Sequence, residues 1–264
     1  MSVIASDLTK IYRLKGKAFK TAVDKVSFEI PDGQITAFIG PNGAGKSTTI
    51  KMLTGILTPD GGSVSINGLS YPKDRKKIML KIGTVFGQKS VLCWDIPVLD
   101  TLKLFKDMYG VSDADYKRNM EMFVDILGLN DFIAQPPRLL SLGQRMKADL
   151  AASLLHNPEI LFLDEPTIGI DVLSKERIRN FILQVNKERK TTVILTTHDV
   201  SDIETLCEKM MVIDKGLLLY DGSLSELKAL YKMTDLEEII KKIYLNGIAA
   251  RTAVLLGEDN AQVS

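Results

Sequence analysis

Residues 40–48, Gly40-Pro41-Asn42-Gly43-Ala44-Gly45-Lys46-Ser47-Thr48, fit the pattern G-x-x-x-x-G-K-[ST]. Each fixed position has a chemical use. Glycines let successive backbone N–H groups converge on phosphate oxygens without a side chain in the way. A helix launched at Lys46 adds unpaired N–H groups and the positive end of its dipole. The Lys46 ammonium neutralises β- and γ-phosphate charge, and the Ser47 hydroxyl is a ligand for Mg²⁺. At ordinary residue frequencies such a pattern arises by chance roughly 0.01 times in a chain of this length. We therefore expect the segment to bind a nucleoside triphosphate.

Three further stretches carry groups suited to the same phosphates. "ILFLDE" (160–165) places Asp164 and Glu165 at the C-terminal end of an apolar strand, where parallel sheets bind ligands. Asp164 suits a Mg²⁺-water contact, and Glu165 suits removal of a proton from an attacking water, although two acids can also simply cap a strand. His198 ends the strand "VILTTH" and is expected near Glu165; alone, a strand-end histidine is more often structural. "LSLGQ" (140–144) is a second glycine-containing helix start, with Ser141 as N-cap and the helix "QRMKADLAASLLH" after it. Such a start is an anion site in principle and most often only a cap. His156, at a helix end, suits the negative pole of the dipole and carries no functional expectation.

These groups need a scaffold that brings strand ends together. Short strands are expected at 26–30, 35–40 and 63–68, a helix at 46–57, and a strand at 81–88. From Val98 to Ser153 apolar residues recur at three- and four-residue spacing, predicting helices. Strands return at 159–165 and 191–198 with a helix at 174–190 between them, a βαβ alternation that indicates a parallel sheet with helices on its faces. Residues 210–222 read as a hairpin turned at "DKG". Beyond it, Leu236, Ile239, Ile240 and Ile243 form an amphipathic stripe expected to fold back on the core. Residues 245–264 show no pattern and are expected to fray.

The bulk numbers fit one large α/β domain. The 264 residues carry 34 basic and 33 acidic side chains, a net charge of +1 that gives no support to a nucleic-acid-coating surface. Four basic residues in "RLKGKAFK" (13–20) are expected to be a solvated loop. Cys93 and Cys207 match no metal spacing and suit a reduced compartment. "MSVIASDLTK" lacks the basic start and apolar run of a secretory signal, and no stretch approaches 18 apolar residues, so a membrane role is expected to come through a partner.

Taken in order, "GPNGAGKST", "VFGQ", "LSLGQ", "ILFLDEPTIGID" and "TTHD" make the sequence resemble the ATP-binding cassette (ABC) family over about residues 2–231. The resemblance implies an α/β fold: a P-loop NTPase with a RecA-like, mostly parallel core sheet, an N-terminal antiparallel β subdomain and an inserted helical subdomain. The nucleotide-binding domain would span 1–222, its helical subdomain about 89–155, with a C-terminal helical extension and tail at 223–264. It implies Mg²⁺-dependent ATP hydrolysis and two subunits stacked head to tail. The cradle of one and Ser141, Gly143 and Gln144 of the other would clamp the same ATP. Glu165 looks like the general base, His198 like a γ-phosphate contact, and Gln88 like a residue that reaches Mg²⁺ or the attacking water. Tyr12 falls where an aromatic stacks on adenine, and Asp171 where a residue meets the partner subunit.

Two positions depart from the family pattern. Leu142 replaces the first glycine of "LSGGQ", while Ser141 and Gly143 remain. Ile168 replaces the serine after "DEPT", removing a cross-dimer hydrogen bond. The segment "VFGQKSVLCWDIPV" resembles ATPase subunits of type-2 ABC exporters. The implied partners are a membrane-spanning permease and a second ABC ATPase subunit, identical or different, with no nucleic acid. The implied location is cytoplasmic, peripheral on the inner face of the membrane. Trp94 suits a permease-docking groove or packing inside the insert. A soluble ABC ATPase with a non-membrane partner is the competing expectation; a P-loop kinase is disfavoured because no acceptor-site constellation accompanies the motifs.

Overall fold

The computed structural model describes residues 2–13, 18–87 and 89–256. Two long strands open the chain, β1 (Ser2–Arg13) and β2 (Phe19–Pro31), paired antiparallel. With β4 (Gly61–Ile66) and β5 (Leu69–Ser70) they form a four-stranded sheet in the order β2-β1-β4-β5. The second sheet has six strands. Five run parallel: β3 (Ile35–Ile39), β6 (Ile82–Phe86), β7 (Ile160–Asp164), β8 (Thr192–Thr196) and β9 (Lys209–Asp214). β10 (Leu217–Ser223) is antiparallel at one edge, giving β10-β9-β3-β8-β7-β6.

The central strands, rich in apolar residues and buried almost throughout, are those of a sheet covered on both faces. Successive side chains alternate between two cores. Ala37, Ile39, Leu161, Leu163, Val193 and Leu195 join one core with Phe123, Phe181 and Ile182 from the helices. Phe38, Phe162 and Ile194 join the other with Ile50, Met52 and Ile66, beneath the antiparallel sheet. Here α1 (Lys46–Leu53) follows β3 directly. The helix expected at 46–57 stops earlier because Thr54 caps it, its hydroxyl bonding Ile50 O at 2.9 Å, and the chain turns at Gly55.

After α2 (Arg75–Met79) and β6 come the insert helices α3 (Val98–Tyr109), α4 (Asp113–Leu127) and α5 (Leu142–Leu154). α5 buries almost its whole length, from Met146 to Leu154. The remaining helices are α6 (Val172–Arg189), α7 (Val200–Leu206), α8 (Leu224–Tyr231) and α9 (Leu236–Leu256). The stripe on α9 does fold back: Leu236, Ile239 and Ile243 are buried in the first core. The fraying expected from residue 245 does not start there. α9 runs on to Leu256, because propagation of a nucleated helix is cheap and Ala249, Ala250 and Ala253 are strong helix formers. Residues 257–264 lie outside the described residues.

Because β3, β7 and β8 are parallel neighbours, their C-terminal ends share one edge. Thr196 is in register with Phe38 on one side and Asp164 on the other. The 40–48 loop, the 164–165 acids and His198 are therefore delivered to the same place.

Candidate functional site

The edge opens into a cleft of about 590 Å³ lined by the whole stretch from Asn42 to Thr48. Gly45 is the N-cap of α1 at φ +114°, a conformation only glycine adopts freely; a Cβ there would also sit 2.5 Å from Ala22 O. Gly40 has no such φ but as little room, since a Cβ would sit 2.3 Å from Ile213 O. Gly40→Ala should therefore displace the start of the loop, at a cost of about 1–3 kcal/mol. Chemical denaturation should show that loss together with weaker nucleotide binding. Lys46 is buried at the floor, its Nζ donating to Gly40 O at 2.6 Å and Pro41 O at 3.3 Å. Burial pulls its ammonium below the usual lysine range, and the carboxylates of Glu165 and Asp164 pull it back up.

Asp164 faces this loop. Ser47 Oγ donates to its Oδ2 at 3.2 Å, and Thr196 Oγ1 donates to Oδ1 at 2.5 Å. Glu165 leaves the strand with φ +53°, a left-handed backbone that costs a non-glycine residue of order 1–3 kcal/mol. Its N–H holds it there, bonding Thr196 O at 3.0 Å and Thr196 Oγ1 at 3.1 Å. This bend turns its side chain out of the sheet into the cleft. His198 Nδ1 lies 3.3 Å from Glu165 Oε1; with the proton on Nδ1 the imidazole donates to the carboxylate. Asp164, Glu165 and His198 thus stand together as the strand pattern indicated.

The turn after Glu165 is tied to the His198 turn by residues that the motifs did not reveal. Asp202, fully buried on α7, accepts from Thr167 Oγ1, from Thr197 Oγ1 at 3.1 Å and from Arg179 Nε at 2.6 Å. Asp199 beside it accepts from Lys175 Nζ at 2.6 Å. Although partial burial pushes the Asp199 carboxyl upward, hydrogen bonds from Lys175 and Ser201 outweigh it and hold the group at about 2.

Ser141 caps α5 in a reciprocal capping box: its Oγ accepts from Gln144 N at 3.2 Å while Gln144 Oε1 accepts from Ser141 N at 2.9 Å. Gly143 lies against α6, where a Cβ would be 3.0 Å from Ser174 Oγ. Leu142, the departure from "LSGGQ", packs over Gly169 in the loop that begins with Ile168. Asp171 caps α6, accepting from Ser174 N at 2.9 Å, and that backbone bond holds its carboxyl below the usual range. Neither Ser141, Gly143 and Gln144 nor Asp171 lines the cleft that holds Lys46 and Glu165.

Tyr12 does line that cleft, 38% exposed, on the wall with Lys20 and Ala22. Gln88 lies outside the described residues; its neighbours Gly87 and Lys89 are on the cleft wall. Phe86, Lys51, Ile56 and Ile168 complete the lining; Phe86 and Ile168 belong to motifs named in the sequence, whereas Lys51 and Ile56 carry no motif signal. His156 is corrected. Rather than meeting a helix dipole as a cation, it stacks on Tyr109 at 4.1 Å between centroids, with Nε2 3.1 Å from Ile82 O. Burial lowers its pKa, so it joins α3 to β6 as a neutral ring. Trp94 is half-exposed beneath the Arg145 guanidinium, 5.8 Å from the ring centre.

A glycine loop between a central parallel strand and a helix, with a lysine at its floor and an acid pair on the next strand but one, defines a P-loop nucleotide-binding protein. A profile of the ABC transporter family matches residues 23–168. The chain is 30% identical over 247 residues to the ABC transporter ATP-binding protein NatA of Bacillus subtilis (strain 168), covering 94% of this chain and 100% of that protein. It is 34% identical over 223 residues to the linearmycin resistance ATP-binding protein LnrL of the same organism, covering 84% and 70%. The dimeric structure of a post-hydrolysis state of the ATP-binding cassette MJ0796, bound to ADP and Pi, superposes with TM-score 0.75 at 26% identity, covering 84% of this chain and 98% of that one. The chain belongs to the ABC transporter family and is an ATP-hydrolysing, ATP-binding subunit of a transporter.

Proposed function

We propose that two copies of this chain close on ATP head to tail and so drive a membrane-spanning permease that exports its cargo. One observation carries the pairing. The cleft around Lys46 and Glu165 has one phosphate-binding wall, while the second anion-type helix start, at Ser141, faces elsewhere on the same chain. Each chain then supplies a cradle to one ATP and a Ser141–Gly143–Gln144 turn to the other. Since this chain carries both halves, a second copy suffices for two complete sites. Asp171 and the exposed Val172 and Leu173 beside it would lie along the junction.

In this reading Tyr12 stacks on the adenine, and the 40–48 backbone with Lys46 holds the phosphates. Mg²⁺ takes few protein ligands and completes its shell with water and phosphate. Ser47 Oγ and the Asp164 carboxylate, already 3.2 Å apart, fit that need, and Gln88 would add an amide oxygen. The ion would supply neutralising charge at the β- and γ-phosphates. Glu165 takes the proton of the attacking water, and His198 holds that carboxylate in place and reaches the γ-phosphate.

Support for a permease partner comes from the insert surface, where Trp94, Ile96 and Leu139 are exposed. Among the described residues no helix is long and apolar enough to cross a membrane, so the spans would belong to the partner and this chain would sit on the cytoplasmic face. Export is favoured by the resemblance of residues 85–98 to type-2 exporters and by a relative that serves linearmycin resistance. Ser141→Arg should leave ATP binding by a single chain within about twofold while abolishing pairing, since it loses only a cap worth ~1 kcal/mol but fills the junction. Equilibrium dialysis and light scattering measure the two; an arginine variant that pairs normally would refute the shared site. Copurification from detergent extract tests the permease, which should appear as a polytopic membrane protein.

A further inference from the structure

The segment that leaves the cleft wall is fastened to α5 at one buried point. Lys89 N–H donates to Phe86 O at 2.8 Å, and Gly87 and Lys89 line the cleft. Immediately beyond, Asp149 Oδ1 accepts from Ser90 Oγ at 2.7 Å and from Val91 N at 2.9 Å, while Leu92 N donates to Ser90 Oγ at 3.2 Å. Asp149 is 4% exposed within the stretch Met146 to Leu154 of α5, which is buried on all sides and is apolar apart from Lys147, Asp149 and Ser153. Among the described residues no cation is hydrogen-bonded to it; Arg145, one turn back on the same helix, lies over the Trp94 ring and reaches the carboxylate only as a coulombic attraction weaker than the bonds from Ser90 and Val91. A buried carboxylate without a paired cation costs stability that an apolar side chain at this position would not. Desolvation accordingly raises its pKa to about 6, against the pull of the bonds from Ser90 and Val91.

We propose that Asp149 is a positioning residue that clamps the Ser90–Leu92 segment onto α5, so that the places of Gly87 and Lys89 on the cleft are imposed on the helix start carrying Ser141. Asp149 lies eight residues along α5 from Ser141, roughly 12 Å of helix. The rigid helix carries a small shift at one end to the other. This rests on the reading that the Ser141 turn closes the partner's ATP site, and it adds the link between the two sites within one chain.

The test uses the full chain and compares Asp149→Leu, Asp149→Asn and Ser90→Ala by steady-state ATP hydrolysis, nucleotide affinity and thermal unfolding. Asp149→Leu should lower kcat about tenfold with nucleotide affinity within twofold of wild type and a thermal midpoint no lower. Asp149→Asn keeps an oxygen that accepts from Ser90 and Val91, so it should recover kcat to within about threefold. Ser90→Ala alone should lower kcat about threefold, which reads the clamp from its other side should the leucine variant fail to fold; in a folded Asp149→Leu background the same change should lower kcat less. A folded leucine variant with wild-type kcat would overturn the proposal, as would a fall in kcat matched by an equal fall in affinity or in thermal midpoint. Failure of the pairing reading would appear differently, as wild-type chain that hydrolyses ATP without associating.

Discussion

Glu165→Gln is expected to bind ATP with near wild-type affinity and to hydrolyse it at least about 100-fold more slowly, the usual contribution of a positioned general base. The geometry separates the two effects. Among the described residues Glu165 makes no hydrogen bond to the 40–48 loop and acts on Lys46 there only by coulombic attraction; its backbone is held by Thr196 and its carboxylate by His198. Glutamine keeps the size and one oxygen, so the strained turn and the His198 contact survive, while the group that removes the proton from water is gone. Single-turnover hydrolysis together with equilibrium binding measures both. If hydrolysis persists within a few-fold of wild type, the base is elsewhere.

Lys46→Ala is expected to act on binding itself, weakening nucleotide affinity about 10–100-fold, as the loss of charge-assisted bonds to phosphate implies. Lys46 also spans the loop it serves, through Gly40 O and Pro41 O, so its removal loosens the cradle as well. Lys46→Arg is the informative companion. It keeps the charge, but a planar guanidinium does not fit where a compact ammonium is buried, and affinity should stay low. Titration with a fluorescent ATP analogue reads both variants; undiminished affinity in Lys46→Ala would remove the cradle assignment.

Much of this architecture was written in local pattern. The mostly apolar runs 35–39, 160–164 and 192–196 are strands buried on both faces, and the loop after the first follows from its glycines. The proximity of His198 to Glu165 followed from parallel neighbours ending at one edge. What escaped was nonlocal or masked by polarity. β1 reads poorly as a strand because three register shifts break its alternation with β2. Asp202 and Asp149 look like ordinary helix acids until tertiary packing buries them. His156 carries the same lesson: its neutral, stacked state depends on Tyr109, 47 positions away in a helix that periodicity located but could not orient. The part of the cleft wall made by Lys20, Ile56 and Lys89 is likewise assembled from the start of β2 and two separate connections.

The central claim is that one ATP is held between two chains, and sedimentation velocity of Glu165→Gln at saturating ATP and Mg²⁺ tests it most directly. The species should sediment as a dimer of the 29.2 kDa chain and return to monomer when ATP is exchanged for ADP. A variant that binds ATP fully yet stays a monomer would contradict the account.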